Sequence, residues 1–161
     1  MAKKVLKVIG IVVLVIIVVA GIVAGSFCYR NLNWWKKDMK KIKELGVTEK
    51  QVTLPNGHVI NYGELGEDGP ALLLIHGQMG AWEDYAKVMP ELSENWHIYA
   101  VDVYGHGESS HGEELYYLDV NGDDLIWFVN NVIKKETVVC GHSNGALTAG
   151  YIAAYGGDFI K

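Results

Sequence analysis

Thr137-Val138-Val139-Cys140-Gly141-His142-Ser143-Asn144-Gly145-Ala146-Leu147-Thr148-Ala149 is the stretch that decides the fold. Its first four residues form a short, mostly apolar run, the composition of a strand covered on both faces. From Ala146 to Tyr155 the residues are small or apolar and read as a helix, closed by Gly156-Gly157. Between the two lies Gly-x-Ser-x-Gly, with Gly141 and Gly145 on either side of Ser143. A strand turns into a helix in so few residues only through a strained backbone, and a side chain at 141 or 145 would collide with neighbouring backbone. The turn lifts the Ser143 hydroxyl above the sheet edge. It also aims the positive end of the helix at negative charge developing there. The five-residue pattern alone also arises as a chance Gly/Ser turn; strand before and helix after give it weight.

The rest of the body repeats this alternation. Residues 51–54 and 59–64 are strand candidates joined by Pro55-Asn56-Gly57, a turn in which Asn-Gly tolerates positive φ. Residues 71–75 are a continuous apolar run ended by His76-Gly77-Gln78-Met79-Gly80. Residues 82–92 read as a helix, 97–101 as a strand ended by Asp102, and 118–133 as a helix whose start Gly122 weakens. An opening hairpin followed by alternating strands and helices predicts an α/β fold, a mostly parallel sheet with helices on both faces. Chemistry in such sheets gathers at the C-terminal strand ends.

Three strand ends carry suggestive residues. Ser143 is the candidate nucleophile. Asn144 and a residue of the 76–80 loop can offer backbone N–H groups to one point, forming an oxyanion hole, although the 76–80 loop taken alone reads more readily as a plain Gly-rich turn. Gln78 is the first candidate for that second donor and Met79 the other. In Asp102-Val103-Tyr104-Gly105-His106-Gly107-Glu108-Ser109 the glycines permit a tight loop. Asp102 and His106 could be read as acid and base. The preferred reading is that both are structural and fix the loop through hydrogen bonds.

Together the H-G-x-x-G loop, the D-x-x-G-H-G-x-S loop and the G-H-S-x-G elbow resemble the α/β-hydrolase family, over residues 51–161 and in family order. The resemblance implies Ser143 as nucleophile, Asn144 and Gln78 as backbone oxyanion donors, and Gly141 and Gly145 as elbow glycines. It implies acyl-transfer hydrolysis through an acyl-enzyme, on a small-molecule or lipid-like acyl substrate, with no metal or organic cofactor. Family order places an acid and then a His after the nucleophile. Here eighteen residues follow Ser143, with Asp158 as their one acid and no His; all six His precede or adjoin Ser143. Asp158, just past the Gly-Gly stop, falls at a surface turn and is not the expected acid. The expectation is therefore a partial copy of a longer hydrolase, inactive by itself, whose 137–140 strand exposes an apolar edge.

The N-terminal part is of a different kind. Residues 1–50 carry ten Lys/Arg against three Asp/Glu, and residues 51–161 carry four against sixteen. An acidic body repels phosphate backbones, which argues against nucleic acid. Residues 8–29 contain no charged side chain. About 20 apolar residues span the ~30 Å hydrocarbon core, and a helix satisfies its own backbone hydrogen bonds there. Lys3, Lys4 and Lys7 precede this run; Arg30, Trp34 and Trp35 follow it, as suits a headgroup boundary. A retained membrane anchor is expected rather than a cleaved signal, whose apolar core runs about 7–15 residues. The six Lys/Arg between Arg30 and Lys43 favour a cytoplasmic body. The short Lys-rich start favours the reverse, and the expectation leans to an extracytoplasmic body.

Leu32, Trp35, Met39, Ile42 and Leu45 share one helical face, with Lys36, Lys37, Lys40, Lys41 and Lys43 mostly on the others. That helix either lies on anionic headgroups or docks on the body as a linker. The domain expectation is an anchor over 1–30, a basic amphipathic helix over 31–50 and the hydrolase-like body over 51–161. Two Cys exclude a disulfide scaffold. Cys28 and Cys140 are read as unpaired structural residues, Cys140 as a buried one. Two other functions stay open: a non-catalytic membrane-tethered module that binds a partner through the open sheet edge, and a different reaction on the same site, such as peroxidase-like or carbon–carbon bond chemistry. Substrate identity and oligomeric state have no signal in the sequence.

Overall fold

The computed structural model describes residues 2–33 and 35–161. Trp34, expected at the headgroup boundary, lies outside the described residues. The chain divides into two compact units, Met1–Lys37 and Asp38–Lys161.

The first unit is dominated by helix α1 (Ala2–Asn33). Its Val, Ile and Leu side chains are exposed, with none of the apolar window buried inside the protein. It is long and apolar enough to cross a membrane. A core helix of the same composition would be covered by other elements.

Most of helix α2 (Trp35–Glu44), from Asp38 onward, belongs to the second unit. Its apolar face is taken up by the body. Ile42 is fully buried and Met39 nearly so, in a cluster with Leu65, Leu72, Leu74 and Ile98. Of the apolar stripe, Met39 and Ile42 pack into the body, whereas Leu32, Trp35 and Leu45 are exposed. Gly46, at φ +89°, ends the helix in the left-handed region that glycine adopts without penalty.

Strand β1 (Thr48–Thr53) pairs antiparallel with β2 (Val59–Leu65), from Thr48 opposite Glu64 to Thr53 opposite Val59. Gly57 at φ +88° turns the chain between them. The sheet continues through β3 (Ala71–Ile75), β4 (His97–Val101) and β5 (Thr137–Gly141), in spatial order β1-β2-β4-β3-β5. β2 meets β4 antiparallel, whereas β3 is parallel to both β4 and β5. Each strand's alternation supplies two cores. Leu73, Ile75, Tyr99 and Val101 face Phe128 and Ile152 on one side. Leu72, Leu74, Ile98 and Ala100 face Trp82 and Met89 on the other. β3 is buried along its whole length, which is why it reads as an unbroken apolar run.

Two helical expectations are modified. Residues 82–92 form a 3-10 turn (Trp82–Tyr85) and a single-turn helix, α3 (Met89–Leu92), instead of one helix. Pro90 has no N–H and its ring would clash with the carbonyl one turn earlier, so a helix can begin there but not pass through. α4 (Leu118–Phe128) does extend to Ile133, but its last turn, Val129–Ile133, widens to π geometry before Lys134 ends it at φ +57°. Gly122 is a packing residue, since a methyl group there would overlap the ring of Tyr151 on α5 (Asn144–Tyr155).

β5 lies at the edge of the sheet. Thr137 is buried, Val138 and Val139 are half-buried, and Cys140 is exposed, which corrects its reading as a buried residue. Ile160 makes one parallel bridge to Thr137, and the Lys161 N–H donates to the Thr137 carbonyl at 3.1 Å.

Because Ile42 fills the core while the lysines of α2 are exposed, Ile42→Ala is expected to cost about 2–5 kcal/mol in a urea titration. Lys40→Ala is expected to stay within about 0.5 kcal/mol. Equal, small effects would contradict the docking of α2.

Candidate active site

The register places Ile75, Val101 and Gly141 side by side, so β3, β4 and β5 end at one level. The three loops that begin at His76, Asp102 and His142 leave the sheet together.

Ser143 sits at φ +52° and ψ −119°, outside the allowed regions for an ordinary L-residue. Such a conformation costs on the order of 1–3 kcal/mol and persists only where the surroundings enforce it. The enforcement is steric. A methyl group at 141 would overlap the Gly145 carbonyl, and one at 145 would overlap the carbonyls of Ile75 and His76. The turn closes through Gly145 N–H to the His142 carbonyl (2.9 Å) and Ala146 N–H to the Ser143 carbonyl (3.0 Å). Asn144 is then the first residue of α5, and its N–H has no partner among the described residues. Gly77 brings the neighbouring loop close, since a methyl group there would lie 2.9 Å from Ser143 Cβ. The Ser143 hydroxyl is exposed and has no hydrogen-bond partner among the described residues. Asp158 is exposed too, in the short Gly157–Phe159 turn.

The two candidates for a second donor separate. Met79 N–H donates to His106 Nε2 at 3.0 Å, whereas Gln78 N–H has no partner among the described residues. Gln78 and Asn144 both line a cavity of about 270 Å³, with Tyr104, Tyr116, Asn121 and Leu147 among its other walls.

Asp102 takes the structural role. It is buried, and its carboxylate accepts from Trp82 N–H (2.7 Å), Asn61 Nδ2 (2.8 Å) and Glu108 N–H (3.2 Å). A carboxylate removed from water needs such replacements. Ser109 Oγ donates to the Asp102 carbonyl and accepts from Asn61 N–H, each at 2.8 Å, fastening this loop to β2. His106 fixes a loop by hydrogen bonding, as expected, and the loop it fixes is the one after β3.

Three supports were given no role by the sequence, although His76 begins the H-G-x-x-G loop. His76, fully buried, accepts from Val103 N–H at 3.1 Å, and burial pushes its pKa below the ordinary 6.5. Asn121 accepts from Tyr104 N–H (3.1 Å) and donates to the Leu115 carbonyl (2.6 Å). Asp124 on α4 accepts from Asn56 Nδ2 (2.9 Å) and Tyr104 Oη (2.8 Å), with His58 Nδ1 at 2.7 Å. Burial and the Asp124 carboxylate both raise the Tyr104 pKa, so that hydroxyl stays a donor. These bonds tie the hairpin turn to the cavity wall.

The steric argument predicts that Gly145→Ala destabilises the fold by about 1–3 kcal/mol, because backbone carbonyls cannot yield as a flexible side chain can. The midpoint of chemical denaturation checks this. An unchanged midpoint would mean that the turn is not enforced by contact.

The sequence profile of the alpha/beta hydrolase fold matches residues 70–161. A Haemophilus influenzae protein provisionally named an esterase/lipase is 31% identical over 92 residues, covering 57% of this chain and 32% of the relative. Bifunctional epoxide hydrolase 2 of Sus scrofa is 31% identical over 107 residues, covering 65% of this chain and 19% of the relative. A solved epoxide hydrolase from an endophytic Streptomyces is 27% identical with a TM-score of 0.63, covering 68% of this chain and 34% of that one. The chain spans about a third, or less, of the length of these proteins. With its sheet order, its level strand ends and its strained turn, the chain belongs to the alpha/beta hydrolase fold family.

Proposed function

We propose that this chain carries the nucleophile and oxyanion hole of a membrane-anchored serine hydrolase acting on carboxylic esters or related acyl compounds. Ser143 is the nucleophile, and the Asn144 and Gln78 backbone N–H groups receive the carbonyl oxygen as it becomes an oxyanion. The observation that carries the reading is the strained Ser143 at the N-terminus of α5, beside two N–H groups that hydrogen-bond nothing else among the described residues. Unpaired donors held in place are worth most where charge develops. Elementary chemistry favours acyl over epoxide substrates. A serine oxygen that attacks a carbonyl gives an ester, which water cleaves. One that opens an epoxide gives an ether, which water does not. The proposal includes a general base and its acid from outside these 161 residues, because no described histidine hydrogen-bonds the Ser143 hydroxyl.

Residues 8–29 are the anchor in this reading, with the body on the extracytoplasmic side. The exposed lysines 36, 37, 40, 41 and 43 lie within about 40 Å of chain from the end of α1. With Met39 and Ile42 used by the body, their contribution to an anionic bilayer surface is electrostatic, about 1 kcal/mol per Lys that reaches it. A second reading, a tethered binding module without catalysis, is favoured by the partly unpaired β5 edge. It predicts indifference to Ser143→Ala.

A fluorophosphonate probe decides between them. The product of the longest reading frame containing these residues is expected to label at Ser143, and Ser143→Ala to abolish labelling. The 161 residues alone are expected to label at least about a thousandfold more slowly, for want of the base. No labelling of the longer product would overturn the catalytic reading.

A further inference from the structure

Two histidines on different loops each hold the other's loop. His76 follows β3 and His106 lies in the loop after β4. His106 Nε2 accepts the Met79 N–H (3.0 Å) in the loop of His76. His76 Nε2 accepts the Val103 N–H (3.1 Å) in the loop of His106. The other nitrogen of each ring faces a carbonyl of its own loop: His76 Nδ1 the Gly77 oxygen at 2.7 Å, His106 Nδ1 the Tyr104 oxygen at 3.2 Å. A neutral imidazole has one donor and one acceptor nitrogen. The pattern therefore requires both rings neutral, each with its proton on Nδ1. The rings meet edge to face with centroids 5.1 Å apart.

Both peptide groups flanking Gln78 are held by this pair. The Gly77 carbonyl and the Gln78 N–H belong to one planar trans peptide and point in opposite directions. That carbonyl is held by His76 Nδ1–H at 2.7 Å and by the Gly80 N–H at 3.1 Å, and together they fix the direction of the Gln78 N–H. The next peptide is fixed at its Met79 N–H by His106.

We propose that His76 and His106 form a reciprocal, proton-sensitive clasp on the loops either side of Gln78, so that acidification releases the two amides held by Nε2, those of Met79 and Val103. A proton added to Nε2 of either ring would face a backbone N–H across about 3 Å, replacing attraction by repulsion. Both histidines are positioning residues, and the catalytic meaning of the clasp rests on the proposed role of Gln78.

The charged groups around His76 oppose one another. The Asp102 carboxylate, 4.0 Å from His76 Nε2, and Asp84 favour its protonation; burial and His106 disfavour it, and burial dominates. A histidine whose folded pKa lies below its unfolded value of 6.5 holds its full contribution above that pH and loses it as the pH falls. His106 faces His76 and shares its cavity wall with Tyr104 and Tyr116.

Amide hydrogen exchange tests the clasp in the full 161-residue chain in detergent micelles, with protection corrected for the intrinsic pH dependence and Leu73 in β3 as control. From pH 7.5 to pH 5, Met79 and Val103 are expected to lose at least tenfold in protection while Leu73 does not. In His106→Gln, whose side-chain carbonyl accepts a hydrogen bond but does not titrate, Met79 protection is expected to be independent of pH. In His106→Phe it is expected to be at least tenfold lower already at pH 7.5. Met79 protection equal at the two pH values, or lost only together with Leu73, overturns the proposal. If a variant fails the Leu73 control, the wild-type series alone decides. Absence of Ser143 labelling with a positive exchange result would remove the catalytic role of Gln78 and leave the clasp standing.

Discussion

Ser143 holds a backbone conformation at φ +52° that an L-residue adopts only under compulsion, and the other parts of the site are arranged around it. The compulsion comes from backbone meeting backbone. β5 ends level with β3, α5 starts within three residues, and the carbonyls of Ile75 and His76 occupy the space a side chain at 145 would need. Relaxing the turn would move α5 away from β3. The strain is thus held by the packing of the sheet against α5, including Ile152 and Thr148, both buried. What it gains is a hydroxyl outside the sheet edge and a helix N-terminus with a free N–H beside it.

A second layer keeps the facing loops in place, and it is polar. Asp102, His76 and His106 are bonded to backbone N–H groups in loops other than their own, or to the strand beside them. Loops carry few apolar contacts, so their geometry depends on such bonds. Met79 illustrates the consequence. Its N–H is committed to His106, and its side chain is exposed. The Gln78 N–H beside it has no partner among the described residues.

Much of this was legible from residue order. The elbow, the hairpin and the apolar run of β3 are local patterns, and local patterns survive without knowledge of tertiary contacts. Gln78 ranks above Met79 as a donor in the sequence; in the structure Met79 N–H is bonded to His106, and Gln78 N–H has no partner among the described residues. Other features depend on residues brought together from afar. Pro90 divides a segment whose composition otherwise suits a helix. Gly122 looks like a weak helix residue until Tyr151 is found against it. Cys140 reads as buried because it closes an apolar strand, yet that strand lies at the sheet edge. The bonds from Asp124 to Asn56 and His58 join positions 68 and 66 residues apart. No spacing in the sequence announces them.

The central claim is that Ser143, Asn144 and Gln78 act on one oxyanion. The most direct measurement is a crystal structure of an alkyl phosphonate attached to Ser143, in the product of the longest reading frame that contains these residues. The account predicts the phosphoryl oxygen about 2.7–3.1 Å from both the Gln78 and the Asn144 backbone nitrogens, with Met79 N–H still on His106. A phosphoryl oxygen turned away from these two groups, or bound by Met79 N–H after release of His106, would contradict it.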